Sequence, residues 1–290
     1  MFQGVAPALV TPFTKDNEVD EEGFRSNIEF AIENGVSGIV PAGCTGEAAT
    51  LSFEEQKRVI DIAVDASSVP VIAGTGSNNT KEAIVLTKYA ADAGADIAML
   101  ISPYYNKPTD AGMIAHYKAV ASSCDIPILL YNVPSRTGRN MPAKVAAELA
   151  DVDNIVGIKE ASGNLNQVSE IVRLTKDKNF VVVSGDDSLT LPILALGGKG
   201  VISVAANIIP RQMSDLVSAF LKGDIEKARE IHHTVYPLLR DLFVETNPIP
   251  LKAAMKWMGR AAGEPRLPLV PLGQESSAKL RRTMESIGLL

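Results

Sequence analysis

Short runs of apolar, β-branched residues alternate along residues 1–224 with segments of helical periodicity. Continuous apolar runs are typical of strands that are covered on both faces, and each run is followed by a candidate helix. Strands joined in this way by helical crossovers are expected to be parallel. The eight predicted strands are Val5–Val10, Gly38–Pro41, Val69–Ala73, Ile97–Ile101, Ile126–Tyr131, Ile155–Lys159, Phe180–Ser184 and Val201–Val204.

Helix start signals stand behind several of these strands. Asp20 is placed to cap the first predicted helix. Ser52 and Glu55 have the spacing of a capping box, in which each residue satisfies a free backbone amide of the other. Pro142 and Pro210 suit the first turns of two later helices.

Eight strand–helix units predict an α/β fold, a (β/α)8 TIM barrel over residues 1–224. The alternative is an open doubly wound sheet, but the Gly-x-Gly-x-x-Gly turn after its first strand is missing. Residues 225–290 are predicted to form a C-terminal helical domain that is appended to the barrel. Pro237 is expected to kink or break its first helix, and Pro250–Met258 and Ser277–Ile287 to form two more.

The amino-acid composition argues against several classes of function. The 290 residues are 46% hydrophobic, carry a net charge of −6 and contain no basic cluster, so nucleic acid is not an expected partner. No apolar stretch is long enough for a membrane span, and no secretory signal is visible at the amino terminus. Cys44 and Cys124 are too few for a disulfide framework, which indicates a cytoplasmic location.

Lys159 is the most informative residue, because it ends an apolar run that is predicted to be a buried strand. A buried ammonium is costly unless it is paired or has lost its proton. A desolvated lysine becomes an amine nucleophile that can attack a carbonyl. The alternative is a structural ion pair with a neighbouring acid, and the strand by itself leaves both readings open.

Other polar groups follow strand ends, where the active sites of such barrels lie. The turn Gly43–Gly46 has free backbone amides that could hold a carboxylate, although a plain tight turn is the simpler interpretation. Tyr131 is either a core residue or a proton shuttle. Arg136 is either solvated or a clamp for a carboxylate.

A metal cofactor has little support in the sequence. His116, His232 and His233 all fall in helices outside the predicted barrel mouth, and adjacent His232 and His233 face different ways. Asp186 and Asp187 follow the seventh strand, where they would repel a phosphorylated substrate. Neither a metal nor a phosphorylated substrate is therefore expected.

Six segments of the chain form motifs that belong together. They are Gly43-Cys44-Thr45-Gly46-Glu47, Pro103-Tyr104-Tyr105-Asn106, Tyr131-Asn132-Val133-Pro134-Ser135-Arg136-Thr137-Gly138, Ile158-Lys159-Glu160, Ser184-Gly185-Asp186-Asp187 and Phe243-Val244-Glu245-Thr246-Asn247-Pro248-Ile249-Pro250. With these motifs the chain resembles the dihydrodipicolinate synthase family of pyruvate-dependent class I aldolases, from Gly4 to Leu290. The resemblance implies that pyruvate condenses with L-aspartate 4-semialdehyde in lysine biosynthesis, without a cofactor, in a homotetramer built as a dimer of dimers.

The resemblance implies roles for four residues in the reaction. Lys159 would form an imine with pyruvate, and Tyr131 would serve as its acid and base. Tyr105 would reach into the site of a neighbouring subunit and complete a proton relay. Cys44 stands where the family usually has a threonine whose hydroxyl links the two tyrosines.

The remaining implied roles concern binding. Thr45 and Gly46 would hold the pyruvate carboxylate, and Arg136 the carboxylate of the semialdehyde. Gly185 and Ile202 would surround the lysine through their backbone carbonyls. A lysine-effector site would comprise Ala49, Asn78, Glu82 and Tyr104.

Two departures from the family pattern leave alternatives open. A thiol is a weaker hydrogen-bonding group than a hydroxyl, so Cys44 keeps open a related aldolase that acts on another aldehyde, such as a 2-keto-3-deoxy sugar acid. Phe53 and Gln56 stand where feedback-inhibited bacterial members often have histidine, so inhibition by lysine is not expected.

Overall fold

The computed structural model describes residues 2–290 and contains a single parallel sheet that curls into a barrel. Neighbouring strands around the sheet follow the order β1, β7, β6, β5, β4, β3, β2. All strand pairs are parallel, as the helical crossovers predict. The strands are β1 (Gly4–Pro7), β2 (Ile72–Gly74), β3 (Ile97–Ile101), β4 (Ile128–Asn132), β5 (Ile155–Glu160), β6 (Val181–Ser184) and β7 (Gly200–Ser203).

Residues 38–41 close the barrel between β1 and β2, although they form only a bridge and not the predicted full strand. Val40 pairs with Ala8 on one side, and Ile39 pairs with Val71 on the other, both in parallel. The pairing cannot extend further because Pro41 has no amide hydrogen and Ala42 has a left-handed φ of 54°. The predicted eight-stranded ring is thus confirmed, with one member reduced to two paired residues.

Helices cover the outside of the barrel. They are α1 (Glu21–Glu33), α2 (Phe53–Ala66), α3 (Thr80–Ala93), α4 (Asp110–Ala121), α5 (Pro134–Thr137), α6 (Ala143–Leu149), α7 (Leu165–Thr175), α8 (Thr190–Ala195), α9 (Pro210–Leu221), α10 (Ile225–Asp241), α11 (Ile249–Trp257) and α12 (Gln274–Ser286). The Asp20 side chain accepts a hydrogen bond at the start of α1, and Ser52 and Glu55 form both bonds of the capping box before α2, as predicted. Pro210 is in the first turn of α9 as predicted, whereas Pro142 stands at the N-cap, one residue before α6.

The core has two layers, which the alternation of side chains along each strand creates. One layer fills the barrel interior, and the other lies between the strands and the surrounding helices. In β5, Ile158 packs outward against the helices, so its neighbours Gly157 and Lys159 point into the interior. Lys159 therefore belongs to the inside of the barrel.

The carboxyl-terminal residues form three helices, α10 to α12. Helix α10 packs against α9 and α12. It continues through Pro237, so the predicted break is wrong. Val235 and Leu238, on either side of the proline, are buried, and their packing offsets the missing hydrogen bond. The division into two units at residue 224 stays a prediction. None of the helices in residues 2–290 has both the length and the hydropathy that a membrane span requires.

A buried ion pair fastens this appendage to the barrel. Lys252 of α11 lies with its Nζ 2.5 Å from Glu47 Oε1, and the two side chains are 2% and 1% exposed. Glu47 Oε2 also accepts a hydrogen bond from the backbone amide of Arg266. Lys252 further lies over the Phe13 ring, 4.2 Å from its centroid. Such a pair costs desolvation to form, but removing one partner leaves the other charge buried alone.

Replacing Lys252 with methionine is expected to lower the free energy of unfolding by about 3–5 kcal/mol, because the buried Glu47 carboxyl group then loses its ion-pair partner. Chemical denaturation measures the loss. The control is Lys256→Met, which breaks the exposed pair with Glu264 and should cost at most about 1 kcal/mol. Equal losses in the two variants would contradict the structural role of the buried pair.

Candidate active site

The carboxyl-terminal mouth of the barrel contains a cavity of about 620 Å³. It brings together six residues that the sequence singled out, from four strand ends and the loops that follow them. It is also lined by residues 243 and 245–247 of the loop between α10 and α11, which come from the appendage. The six residues are Cys44, Thr45, Tyr131, Arg136, Lys159 and Gly185.

Lys159 and Tyr131 stand side by side on neighbouring strands. They are register partners in β5 and β4, and both are almost fully buried. The Lys159 Nζ lies 4.1 Å from the centroid of the Tyr131 ring. The amine and the phenol are therefore within reach of one small carbonyl compound in the cavity.

Gly185 makes room for the lysine. A Cβ atom at this position would lie 3.0 Å from Cγ and from Cε of Lys159, and 2.8 Å from Cβ of Ala161. Any side chain would crowd the lysine stem and the methyl group of Ala161, so glycine lets the chain after β6 pass this close to Lys159.

No carboxylate of residues 2–290 forms an ion pair with Lys159, so the reading as a structural ion pair is not supported. Burial lowers the pKa of Lys159 to about 8, with a smaller lowering from Arg136. Cys44 and Asp187 act in the opposite direction and favour the charged form. The result is an amine that is partly neutral near neutral pH and thus able to act as a nucleophile.

Tyr131 has the opposite character. Burial raises the pKa of its phenol well above the usual value, and the neighbouring Cys44 adds to the rise, whereas Arg136 opposes it. The phenol consequently keeps its proton at neutral pH. It is suited to donate that proton to a carbonyl oxygen that the Lys159 amine attacks.

Asp187 is a buried acid close to the cavity. The sequence analysis assigns it only the repulsion of a phosphorylated substrate. Its Oδ2 accepts hydrogen bonds from the backbone amides of Val204 and Ala205, each at 2.9 Å. These bonds tie the end of β6 to the segment that follows β7. Burial raises the pKa of Asp187 to about 6. In the sequence, two adjacent aspartates directly after a buried strand are the signal that could have pointed to this buried acid.

The turn with Thr45 and Gly46 has the features of an anion site. Within residues 2–290, the backbone amides of Cys44, Thr45 and Gly46 donate to no protein acceptor. Thr45 is 2% exposed, and its Oγ1 accepts a hydrogen bond of 2.9 Å from Nδ2 of Asn247. Free amides beside a hydroxyl can hold a carboxylate.

Arg136 stands in the short helix α5 and contacts the same asparagine. Its Nη2 donates a hydrogen bond of 3.0 Å to the backbone carbonyl of Asn247. The sequence analysis includes Asn247 in a motif of the family resemblance but assigns it no role. The guanidinium lines the cavity, where it can bind a second carboxylate.

A second cavity of about 500 Å³ lies next to the first and shares Cys44 and Tyr131 as walls. It contains three of the four expected effector residues, Ala49, Glu82 and Tyr104, but Asn78 does not line it. Phe53 and Gln56, the two residues of the expected departure from the family pattern, also line this cavity, and Gln56 donates to the backbone carbonyls of Ala48 and Leu51.

Three expected site residues do not line the main cavity. The carbonyl of Gly46 accepts a hydrogen bond of 2.7 Å from the buried hydroxyl of Thr11. Ile202 is buried in the barrel interior. Tyr105 lines neither of the two cavities and is 90% exposed, with a left-handed φ of 63°. Among residues 2–290, no group of three or more histidine, cysteine or acidic side chains is placed to hold a metal ion.

Together, the fold and the site define a lyase of the (β/α)8-barrel class, with a buried lysine amine at the centre of its mouth. Comparison with known protein families identifies this class more closely. The model of the Dihydrodipicolinate synthetase family matches residues 1–287. The chain belongs to this family.

Individual relatives agree over the whole length. A 4-hydroxy-tetrahydrodipicolinate synthase of Methanosarcina mazei is 60% identical, with 100% of both chains covered. The crystal structure of dihydrodipicolinate synthase from Aquifex aeolicus is 47% identical, with a TM-score of 0.97 and 99% of both chains covered. A chloride-inhibited dihydrodipicolinate synthase from Acinetobacter baumannii, complexed with pyruvate, is 41% identical, with a TM-score of 0.96 and full coverage of both chains.

The reactivity of Lys159 is expected to depend on pH with a midpoint near 8. A lysine attacks a carbonyl only as the neutral amine, and with this pKa roughly a tenth is neutral at pH 7 and about half at pH 8. The initial rate of adduct trapping with pyruvate and cyanoborohydride should thus rise about tenfold per pH unit below 8 and level off above it. A rate that keeps rising from pH 9 to 10 would show an ordinary lysine pKa near 10.5.

Proposed function

We propose that this chain condenses pyruvate with L-aspartate 4-semialdehyde to 4-hydroxy-tetrahydrodipicolinate, a step of lysine (diaminopimelate) biosynthesis. The observation that carries the proposal is the unpaired Lys159 amine, buried beside Tyr131 at the mouth of the barrel. Family membership and the full-length relatives support the same reaction. The scarcity of cysteines supports a cytoplasmic location.

The first half of the reaction uses pyruvate alone. Thr45 and the free amides of its turn hold the carboxylate, which places the ketone carbon next to Lys159. The neutral amine attacks that carbon, Tyr131 gives its proton to the oxygen, and water leaves as the imine forms. The imine draws electrons from the methyl group, which loses a proton and becomes the nucleophilic carbon of an enamine.

In the second half the enamine carbon attacks the aldehyde carbon of the semialdehyde. Arg136 holds the carboxylate of this substrate through charge-assisted hydrogen bonds. The amino group of the substrate then attacks the imine carbon and displaces Lys159 as the ring closes. A guanidinium at this edge of the cavity favours an aldehyde with a carboxylate over a neutral one. The backbone carbonyls of Gly185 and Ile202 complete the surroundings of the lysine.

Self-association completes the proposed site. Tyr105 is almost fully exposed, although its phenol is assigned to proton transfer. Phe53 and Tyr104 are also partly exposed where they line the second cavity, and Leu267 is 79% exposed on the segment that precedes cavity residues Pro268 and Leu269. Clustered apolar exposure of this kind marks a protein interface. We assign it to a second copy that receives Tyr105, within a homotetramer arranged as a dimer of dimers.

Cys44 and the second cavity distinguish this chain from the family pattern. The thiol lies between the two cavities and takes the relay position between Tyr131 and the neighbour's Tyr105, with weaker hydrogen bonds than a hydroxyl would make. Phe53 and Gln56 leave the second cavity without the usual imidazoles, so we propose that lysine does not inhibit this enzyme.

Incubation with pyruvate followed by borohydride reduction is expected to attach one pyruvyl group to Lys159, which peptide mass spectrometry locates. Lys252 is the matched internal control, because it is equally buried but held by Glu47. Lys159→Ala should form no adduct and no product. An unmodified wild-type Lys159 would rule out the imine mechanism and leave a barrel without this chemistry.

Tyr105→Phe is expected to lower the turnover number by roughly 10²-fold, because the relay loses one proton carrier. Co-refolding this variant with inactive Lys159→Ala should restore part of the activity, since a mixed interface combines an intact lysine with an intact neighbouring tyrosine. The control is Tyr89→Phe, which removes a surface hydroxyl bonded to Asp61. Mixed assemblies without any recovered activity would show that Tyr105 does not act in a neighbouring site.

A further inference from the structure

Asn247 connects the two carboxylate-binding groups of the proposed site. It lies in the loop between α10 and α11, is 4% exposed and lines the main cavity. Its side chain donates to Thr45 Oγ1 at 2.9 Å, and its backbone carbonyl accepts from Arg136 Nη2 at 3.0 Å. One residue of the appendage thus contacts a group from each side of the cavity.

The bond to Thr45 determines what that hydroxyl can offer a ligand. A hydroxyl has one hydrogen to donate and two lone pairs that accept. Because an Asn247 amide hydrogen occupies the acceptor side, the hydroxyl hydrogen of Thr45 remains available to an anion. This orientation adds one donor to the free backbone amides of the turn.

A second contact from the same part of the appendage holds the other end of this turn. Lys252, in the first turns of α11, pairs with Glu47, which follows Thr45 and Gly46 in the chain. Glu47 has a left-handed φ of 54°, a conformation that a non-glycine residue adopts only when its surroundings hold it there. The appendage therefore contacts the turn at two points, through Asn247 and through Lys252. Of these two residues, only Asn247 lines the cavity.

We propose that Asn247 is a positioning residue with two separate tasks. Its side chain orients Thr45 for the carboxylate of pyruvate, and its backbone carbonyl orients Arg136 for the carboxylate of the aldehyde. The proposal rests on the function proposed above. Because side-chain replacement leaves the backbone carbonyl in place, the two tasks can be separated by mutation.

Asn247→Ala is expected to raise the KM for pyruvate about tenfold, the loss of roughly one hydrogen bond, while the KM for the semialdehyde changes less than twofold. Asn247→Asp, of nearly the same size, should raise the KM for pyruvate further. Its carboxylate accepts the Thr45 hydroxyl hydrogen and repels the incoming anion. Steady-state kinetics with each substrate varied in turn measure the split.

The matched control is Asn27→Ala. Asn27 is an equally buried asparagine, and its side chain also ties the barrel to the carboxyl-terminal segment, through the backbone carbonyl of Ala261. It does not line the cavity. The Asn27→Ala variant should lower the melting temperature but leave both KM values unchanged. This result would separate general damage to the appendage from a local effect on Thr45.

The variant Thr45→Val tests the same bond from its other end. If Asn247 acts through Thr45, the double variant Asn247→Ala/Thr45→Val should bind pyruvate as weakly as Thr45→Val alone. Additive losses in the double variant would overturn the proposal. The proposal would also be overturned if Asn247→Ala and Asn27→Ala each raised the KM for pyruvate and the KM for the semialdehyde by the same factor.

Pyruvate binding can be followed without the aldehyde, through the half-saturating concentration for borohydride trapping on Lys159. Absence of trapping in the wild type would contradict the proposed function itself. Trapping in the wild type with an unchanged half-saturating concentration in Asn247→Ala would contradict only the role of Asn247.

Discussion

The cost of burying an amine governs the architecture of this site. An ammonium ion in a protein interior needs a counter-charge, and Lys159 has none within bonding distance, so its burial is tolerated because it can exist as the neutral base. That state requires that most of the side chain be removed from bulk water, and Lys159 is 5% exposed. The closed barrel covers it from below, the Tyr131 ring and Gly185 pack at its sides, and the loop around Asn247 lies at the rim of the cavity. Cys44 and Asp187 both favour the charged form without an ion pair to the amine, so the pKa of Lys159 is lowered only to about 8 and both forms of the amine exist near neutral pH.

Much of this arrangement could be predicted from local sequence. The eight apolar runs gave the barrel, because the order of strands and helices leaves few topologies. The position of Lys159 at a strand end placed it at the mouth. The direction of its side chain could not be inferred, since Ile155–Lys159 is apolar on both faces and only packing shows that Ile158 faces the helices. The short bridge at residues 38–41 was also hidden, because its length depends on the backbone conformation at Ala42 and not on hydrophobicity.

Contacts between distant parts of the chain were beyond sequence reasoning. Asn247 meets Thr45 across 202 residues, and no periodicity or spacing encodes such a pairing. The same holds for Glu47 and Lys252, which are both ordinary surface residue types by composition. The motif resemblance included Asn247 and Glu47 but gave them no task. Only the folded chain shows that the appendage reaches the catalytic mouth, so dividing the sequence at residue 224 separates residues that line one cavity.

The early end of the segment 38–41 has a consequence for the anion site. Backbone hydrogen bonds join this segment to both of its neighbours, and the last of them runs from the amide of Gly74 to the carbonyl of Pro41. The left-handed φ of Ala42 then turns the chain out of the ring, so the amides of Cys44, Thr45 and Gly46 meet no neighbouring strand in the part of the chain that the structure describes. A longer strand would use these amides in sheet hydrogen bonds, whereas the short one leaves them available to a ligand. An irregularity of the ring thus creates a row of hydrogen-bond donors at its mouth.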